Sequence, residues 1–226
     1  MFAGLARAPA RVTVQHPRTK QPVAASLSSN MVAETLRYML YSSVEAALVP
    51  VVMHNAASGN YTWLANRSLR ARGATAGNGM FDGLYLAITC AEDLPRTDAA
   101  REAADAKGTF LGEYRMKQQR AACDVWGRSP VPADYDTPVR STAAVLLVTG
   151  ADDPVTPPRY AAEVARMLPN ALNLVVPFGA HGLNGLEGMA CIDEIERQVI
   201  ERGSVAGIDT SCVSKIRRRA FPTESP

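Results

Sequence analysis

No run of apolar residues in this sequence approaches the ~20 needed to span a bilayer; the longest candidates are short strand-like segments such as Val145 to Val148. There is no excess of charge of either sign. Lys and Arg total 24 and Asp and Glu 22, a net charge of +2, with the two signs interspersed. Nothing in that balance favours a polyanion or a membrane surface, so neither nucleic acid nor a membrane is expected as a partner. The densest basic stretch, Lys215 to Arg219, has no interleaved aromatics and reads as a solvated tail. The first ten residues have neither a basic n-region nor a long apolar h-region, so they are not read as a signal peptide. No Cys-x-x-Cys occurs, which excludes the common zinc and dithiol redox motifs, and no metal or other cofactor is expected. Internal repeats and low-complexity linkers are absent as well; only Gly73 to Gly83 is glycine-rich, and it reads as a loop.

What is present is a globular composition. The chain has 226 residues, 47% of them apolar, enough for a real core. Its patterning changes character near residue 140. Before that point helical periodicity dominates, with Leu36, Met39 and Leu40 on one apolar face and Val49, Val52 and Met53 continuing another up to Gly59. Arg11 to Val14 and Val23 to Leu27 read as a small hairpin. After residue 140 the order is strand, helix, strand, helix. Ala143 to Val148 is a continuous apolar run, as in a parallel strand buried on both faces. A loop from Gly150 to Pro158 follows, with Thr156 a plausible N-cap. The next helix runs to about Leu168, with Tyr160, Ala161, Val164, Ala165 and Leu168 inward. Leu172 to Val176 is a second strand. A last helix, Cys191 to Arg202, places Ile192, Ile195, Val199 and Ile200 inward and stops at Gly203. The fold class is therefore α/β, divided into residues 1–140, mostly helical with an N-terminal hairpin, and residues 141–226, a βαβ unit. Two parallel strands are too few to stand alone.

The loop Gly150-Ala151-Asp152-Asp153-Pro154 leaves the C-terminal end of the first buried strand, where open α/β sheets place functional groups. His181, in Gly179-Ala180-His181-Gly182, follows the second strand and leaves the same edge. An acid on one such loop can orient a histidine on the other and stabilise its imidazolium, the division of labour in a Ser-His-Asp relay. An Asp-Pro turn and a loop histidine each have an ordinary reading as turn and solvated side chain; the pair in this order is harder to dismiss. The serine of such a relay would precede them in a G-x-S-x-G elbow. Ser58, Ser68 and Ser129 lack the flanking glycines and preceding strand, so no nucleophile is recognisable. Cys90, Cys123, Cys191 and Cys212 allow three disulfide pairings. Proximity favours Cys90 with Cys123 and Cys191 with Cys212, and four buried free thiols remain the alternative.

The segments Ala87-Ile88-Thr89-Cys90-Ala91-Glu92-Asp93, Cys123-Asp124-Val125-Trp126, Asp153-Pro154-Val155-Thr156-Pro157-Pro158 and Gly179-Ala180-His181-Gly182, with the spaced Cys191 and Cys212, form an ordered set. From about Arg11 to Cys212 the chain resembles the lid and C-terminal region of tripeptidyl-aminopeptidase-like and proline-iminopeptidase-like serine peptidases. The resemblance implies the C-terminal half of an α/β-hydrolase, a helical lid followed by the last βαβ unit of a parallel sheet. It makes Asp153, the residue directly before Pro154, the triad acid, and His181 the base. The family is mostly exported, which favours the two disulfides and a secreted or periplasmic full-length protein. Its substrates are peptides with a free N-terminus, whose buried ammonium needs a paired anion. Glu92 and Asp93 are the candidates for that role, against structural pairing or capping. Trp126 is the candidate wall of the substrate pocket, against core packing. Two sequons, at Asn60 and Asn66, match a pattern short enough to arise by chance.

Two departures from the family pattern stand out: Ala180 occupies the position of a glycine, and the half carrying the first strands, the oxyanion-hole loop and the nucleophile is missing. The chain is thus read as a fragment of a serine aminopeptidase, inactive alone, its natural partner being the missing half of the same fold. An esterase on the same fold and a non-catalytic binding remnant are the alternatives. Exposed strand edges would make the isolated chain poorly soluble or prone to associate.

Overall fold

The computed structural model describes residues 1–16, 18–70 and 81–224. In chain order its elements are α1 (Phe2–Arg7), β1 (Ala10–Gln15), β2 (Pro22–Leu27), α2 (Ser29–Met39), α3 (Ser43–Ala57), α4 (Thr62–Leu69), α5 (Asp82–Ile88), α6 (Ala99–Ala106), α7 (Tyr114–Trp126), β3 (Val145–Gly150), α8 (Pro158–Ala165), β4 (Ala171–Val176) and α9 (Ala190–Arg202). They group into two compact units, residues 1–36 with 55–136 and residues 37–54 with 137–226. The stretch 37–54, the end of α2 and most of α3, thus belongs with the C-terminal residues.

In the first unit β1 and β2 form the expected antiparallel hairpin, Val12 opposite Ala25 and Val14 opposite Val23. Side chains alternate between faces, so Val14, Ala25 and Leu27 are buried while Arg11 and Thr13 are exposed. Helix α4 packs against the hairpin and buries Leu64 and Ala65. A separate small core gathers Cys90, Leu94 and Cys123, flanked by Leu86 and Met116. The Cys90–Cys123 disulfide holds it, with Cα atoms 5.3 Å apart. Buried Gln119 is fully engaged beside it, donating to Thr89 Oγ1 and accepting from Tyr85. The glycine-rich loop read from Gly73 to Gly83 lies mostly outside the described residues; Asp82 and Gly83 already belong to α5.

In the second unit β3 and β4 are parallel, with Leu146 opposite Leu172, Val148 opposite Leu174 and Gly150 opposite Val176. Helix α8 connects them and packs against both. Among the described residues no further strand joins this pair. Leu174 and Val176 enter a core with Leu186, Ile192, Ile195 and Ile216, against which Leu146, Val148 and Leu172 also pack. The Cys191–Cys212 disulfide, Cα atoms 5.8 Å apart, pins the start of α9 to the following segment. Gly203 ends α9 in the left-handed conformation (φ 57°), which glycine adopts without a Cβ penalty.

Several details differ from the sequence reading. Strand β3 is not buried on both faces; Val145 to Val148 are partly buried, as expected of a strand with a single strand neighbour among the described residues. Ile216, inside the basic stretch read as a solvated tail, is fully buried in the core of the second unit. Ile200 is exposed: Ile192, Ile195 and Val199 already form the buried stripe, and Ile200 lies one residue, about 100°, around the helix from it. Tyr160 and Val164 are exposed too. Helix α8 has only two turns over two strands, and the small Ala161 and Ala165 take the partly buried row. Thr156 is not the N-cap of α8; that position is Pro157, and the threonine hydroxyl is used elsewhere.

Cross-linking residues 21 or 33 positions apart lowers the entropy of the unfolded chain by an amount worth about 3 to 4 kcal/mol per bond. Reduction is therefore expected to lower the urea midpoint followed by circular dichroism, and Cys191→Ser with Cys212→Ser should reproduce the loss in the second unit. An unchanged midpoint would show that the bonds do not constrain the chain.

Candidate functional site

Strand β3 ends at Gly150 and β4 at Val176, and the two loops that follow are in main-chain contact. The Ala151 N–H donates to the Val176 carbonyl (2.9 Å) and the Asp152 N–H to the Gly179 carbonyl (2.8 Å). A Cβ on Gly150 would lie 2.3 Å from the carbonyl oxygens of both Gly179 and Ala180, and one on Gly179 would lie 2.8 Å from the Gly150 Cα. Only two glycines allow this approach.

It brings Asp153 and His181 together. Asp153 Oδ2 lies 3.0 Å from His181 Nδ1. The acid is enclosed, its side chain 4% exposed, while that of His181 is 42% exposed. Asp153 has further partners: Oδ1 accepts the N–H groups of Val155 (2.7 Å) and Thr156 (2.9 Å), and Oδ2 accepts the Thr156 hydroxyl (2.8 Å). Burial acts against the charged form, but the two N–H groups, His181 and the Thr156 hydroxyl together overcome it and hold the carboxyl below its usual range. An ionised Asp153 accepts a proton-bearing Nδ1, which leaves Nε2 as the basic nitrogen. Nε2 takes no hydrogen bond among the described residues.

The histidine loop is also held by residues that the sequence did not point to. Ser43 Oγ accepts the Ala180 N–H (3.1 Å) and donates to the Phe178 carbonyl (3.0 Å). The Tyr41 carbonyl accepts the Gly182 N–H (2.8 Å). The Tyr41 ring meets the His181 ring edge-on, centroids 5.4 Å apart. These contacts span some 135 positions of chain, and a Tyr-Ser-Ser between two apolar helical segments carries little signal by itself.

The remaining candidates lie in the first unit. Glu92 and Asp93 are on a π-helical turn, Thr89–Asp93. The Glu92 carboxylate accepts the Tyr135 hydroxyl, and its main-chain carbonyl accepts a guanidinium N–H of Arg96, which also pairs with Asp136 at 2.6 Å. Glu92 is thus internally paired, whereas Asp93 is exposed. Trp126 ends α7 half exposed, beside Gly83, so it is not the core residue that tryptophan commonly is. No group of three or more His, Cys, Asp or Glu suited to a metal ion occurs among the described residues.

Residues 108–212 match a family model described as TAP-like protein. No curated protein and no solved structure matches the chain.

The close loop contact predicts that Gly150→Ala displaces the histidine loop, costing about 1 to 3 kcal/mol and weakening the Asp153–His181 hydrogen bond in NMR spectra. An intact bond and unchanged stability would contradict the contact. Asp153 also sets an acid limb. Its folded pKa is depressed, so the stability it contributes is complete above the ordinary carboxylate pKa of about 4 and is lost as pH falls through the folded value. Urea midpoints of the parent chain and Asp153→Asn should differ most near neutrality and converge in acid; parallel curves would contradict the assignment.

Proposed function

The chain carries a TAP-like α/β-hydrolase C-terminal region over residues 108–212, and from that premise we propose that Asp153 and His181 are the acid and base of a Ser-His-Asp relay in an aminopeptidase-type hydrolase. The observation that carries this is the 3.0 Å contact between Asp153 Oδ2 and His181 Nδ1, with the acid enclosed and kept ionised. In this reading β3, α8 and β4 are the last βαβ unit of a larger sheet. The nucleophilic serine, for which residues 1–226 offer no G-x-S-x-G, comes from polypeptide outside them.

The chemistry follows from the geometry. A serine hydroxyl facing Nε2 attacks the peptide carbonyl as Nε2 takes its proton, and the imidazolium so formed keeps its Nδ1–H on Asp153. Nε2 then protonates the departing amine, and water repeats the sequence to free the acyl group. A peptide with a free N-terminus needs an anion for its ammonium. Glu92 and Asp93 are the anions we propose for it, and Trp126, half exposed, the apolar wall. The two disulfides fit an oxidising compartment, so we place the whole protein outside the cytoplasm.

The second reading is an esterase, which would use the same relay and needs no amine anchor. The decisive experiment supplies the missing nucleophile by expressing the chain joined to, or together with, a segment bearing G-x-S-x-G read from the upstream coding sequence. Aminoacyl- and tripeptidyl-arylamides should be hydrolysed. Asp153→Asn and His181→Ala should each lower kcat by about 10³-fold or more, with little change in KM. Near-normal turnover in either variant overturns the relay. Faster hydrolysis of short acyl esters, indifferent to blocking the amine, selects the esterase.

A further inference from the structure

His181 sits on an exposed loop and is hydrogen-bonded through one ring nitrogen, a contact that does not by itself fix the backbone that carries the ring. We propose that the segment Tyr41–Ser43, at the start of α3, is the positioning device for His181; the inference rests on the relay reading of Asp153 and His181.

The segment grips the loop on both sides of the histidine and does so through main-chain groups. On the N-terminal side, Ser43 Oγ closes a bridge between the Phe178 carbonyl (3.0 Å) and the Ala180 N–H (3.1 Å). Phe178 sits in the left-handed region at φ 60°, which a residue with a bulky side chain occupies only when neighbouring structure holds it. Ser43 is the side chain that ties the two peptide groups flanking that turn. On the C-terminal side, the Gly182 N–H donates to Tyr41 O (2.8 Å), and Ser42 and Gly182 form a parallel bridge. The Tyr41 ring lies edge-on to His181 at 5.4 Å, and its own hydroxyl accepts from Arg37. Farther along, Gly185 is at φ 83°, and a Cβ there would lie 2.1 Å from Val44 Cγ2, so α3 also fits closely against the loop exit.

The Ser43 hydroxyl is therefore occupied by the loop backbone. It is a positioning residue for the base, not a stand-in for the absent nucleophile. Asp153 orients the ring through Nδ1 from one side, and Tyr41–Ser43 fix the backbone that carries the ring from the other.

Amide exchange and ring NMR on the whole chain test this. In the parent chain the Ala180 and Gly182 amides should be protected. Ser43→Ala should raise the Ala180 exchange rate by about tenfold, as loss of one hydrogen bond to an otherwise unpaired amide requires, and should shift or broaden the His181 ring resonances. Ser43→Thr, which keeps the hydroxyl, should restore both. Unprotected Ala180 and Gly182 amides in the parent chain overturn the proposal without any variant, even should Ser43→Ala not fold. So does a Ser43→Ala chain with parental exchange and parental His181 resonances. Asp153→Asn separates the two ideas: protected Ala180 with a His181 ring indifferent to Asp153→Asn keeps the clamp and rejects the relay.

Discussion

The arrangement depends on one contact, the approach of the Gly150 and Gly179 main chains just beyond the ends of two parallel strands. A Cβ at Gly150 would intrude to 2.3 Å on two carbonyl oxygens, so the loops touch only because neither position has a side chain. The Asp152 N–H then reaches the Gly179 carbonyl, and the residues that follow on each loop, Asp153 and His181, are brought within hydrogen-bonding distance. The strand pairing sets the level of the contact, since Gly150 and Val176 are opposite each other in register. Packing of Leu174 and Val176 against α9, itself tied down by Cys191–Cys212, holds β4 in place.

Electrostatics follows from that geometry. Removing a carboxylate from water costs several kcal/mol unless its lone pairs are used. Asp153 uses them, with two N–H groups and a hydroxyl from the turn Asp153–Thr156 and the imidazole of His181. A turn that looks like an ordinary helix entry thus serves to keep an acid charged while enclosed. Thr156 illustrates the exchange: its hydroxyl leaves the first turn of α8 uncapped and goes to the acid.

Much of this was legible in the sequence. The apolar runs Ala143 to Val148 and Leu172 to Val176 marked two strands, found at Val145–Gly150 and Ala171–Val176 and mostly only partly buried, and strand order placed Asp153 and His181 at one edge. The hairpin and α9 followed from period-two and period-3.6 patterning. Both disulfide pairings are the ones that proximity favoured, and the family resemblance had favoured disulfides over free thiols. What was not legible depends on tertiary neighbours. Tyr41 and Ser43 act through backbone atoms of a loop far away in sequence, which no local pattern encodes. Tyr160, Val164 and Ile200 look like core residues by spacing, but each lies beside the packed stripe and not in it. For Glu92, structural pairing stood beside an amine-binding role in the sequence, and the fold supplies the partner, the Tyr135 hydroxyl.

The tautomer of His181 at neutral pH separates a relay histidine from a solvated one. Nitrogen-15 spectra of the imidazole in the folded chain should place the proton on Nδ1, with a hydrogen-bonded Nδ1–H that disappears in Asp153→Asn. An imidazole protonated on Nε2, or one whose spectrum is the same with and without the Asp153 carboxylate, would contradict the pairing on which the functional reading rests.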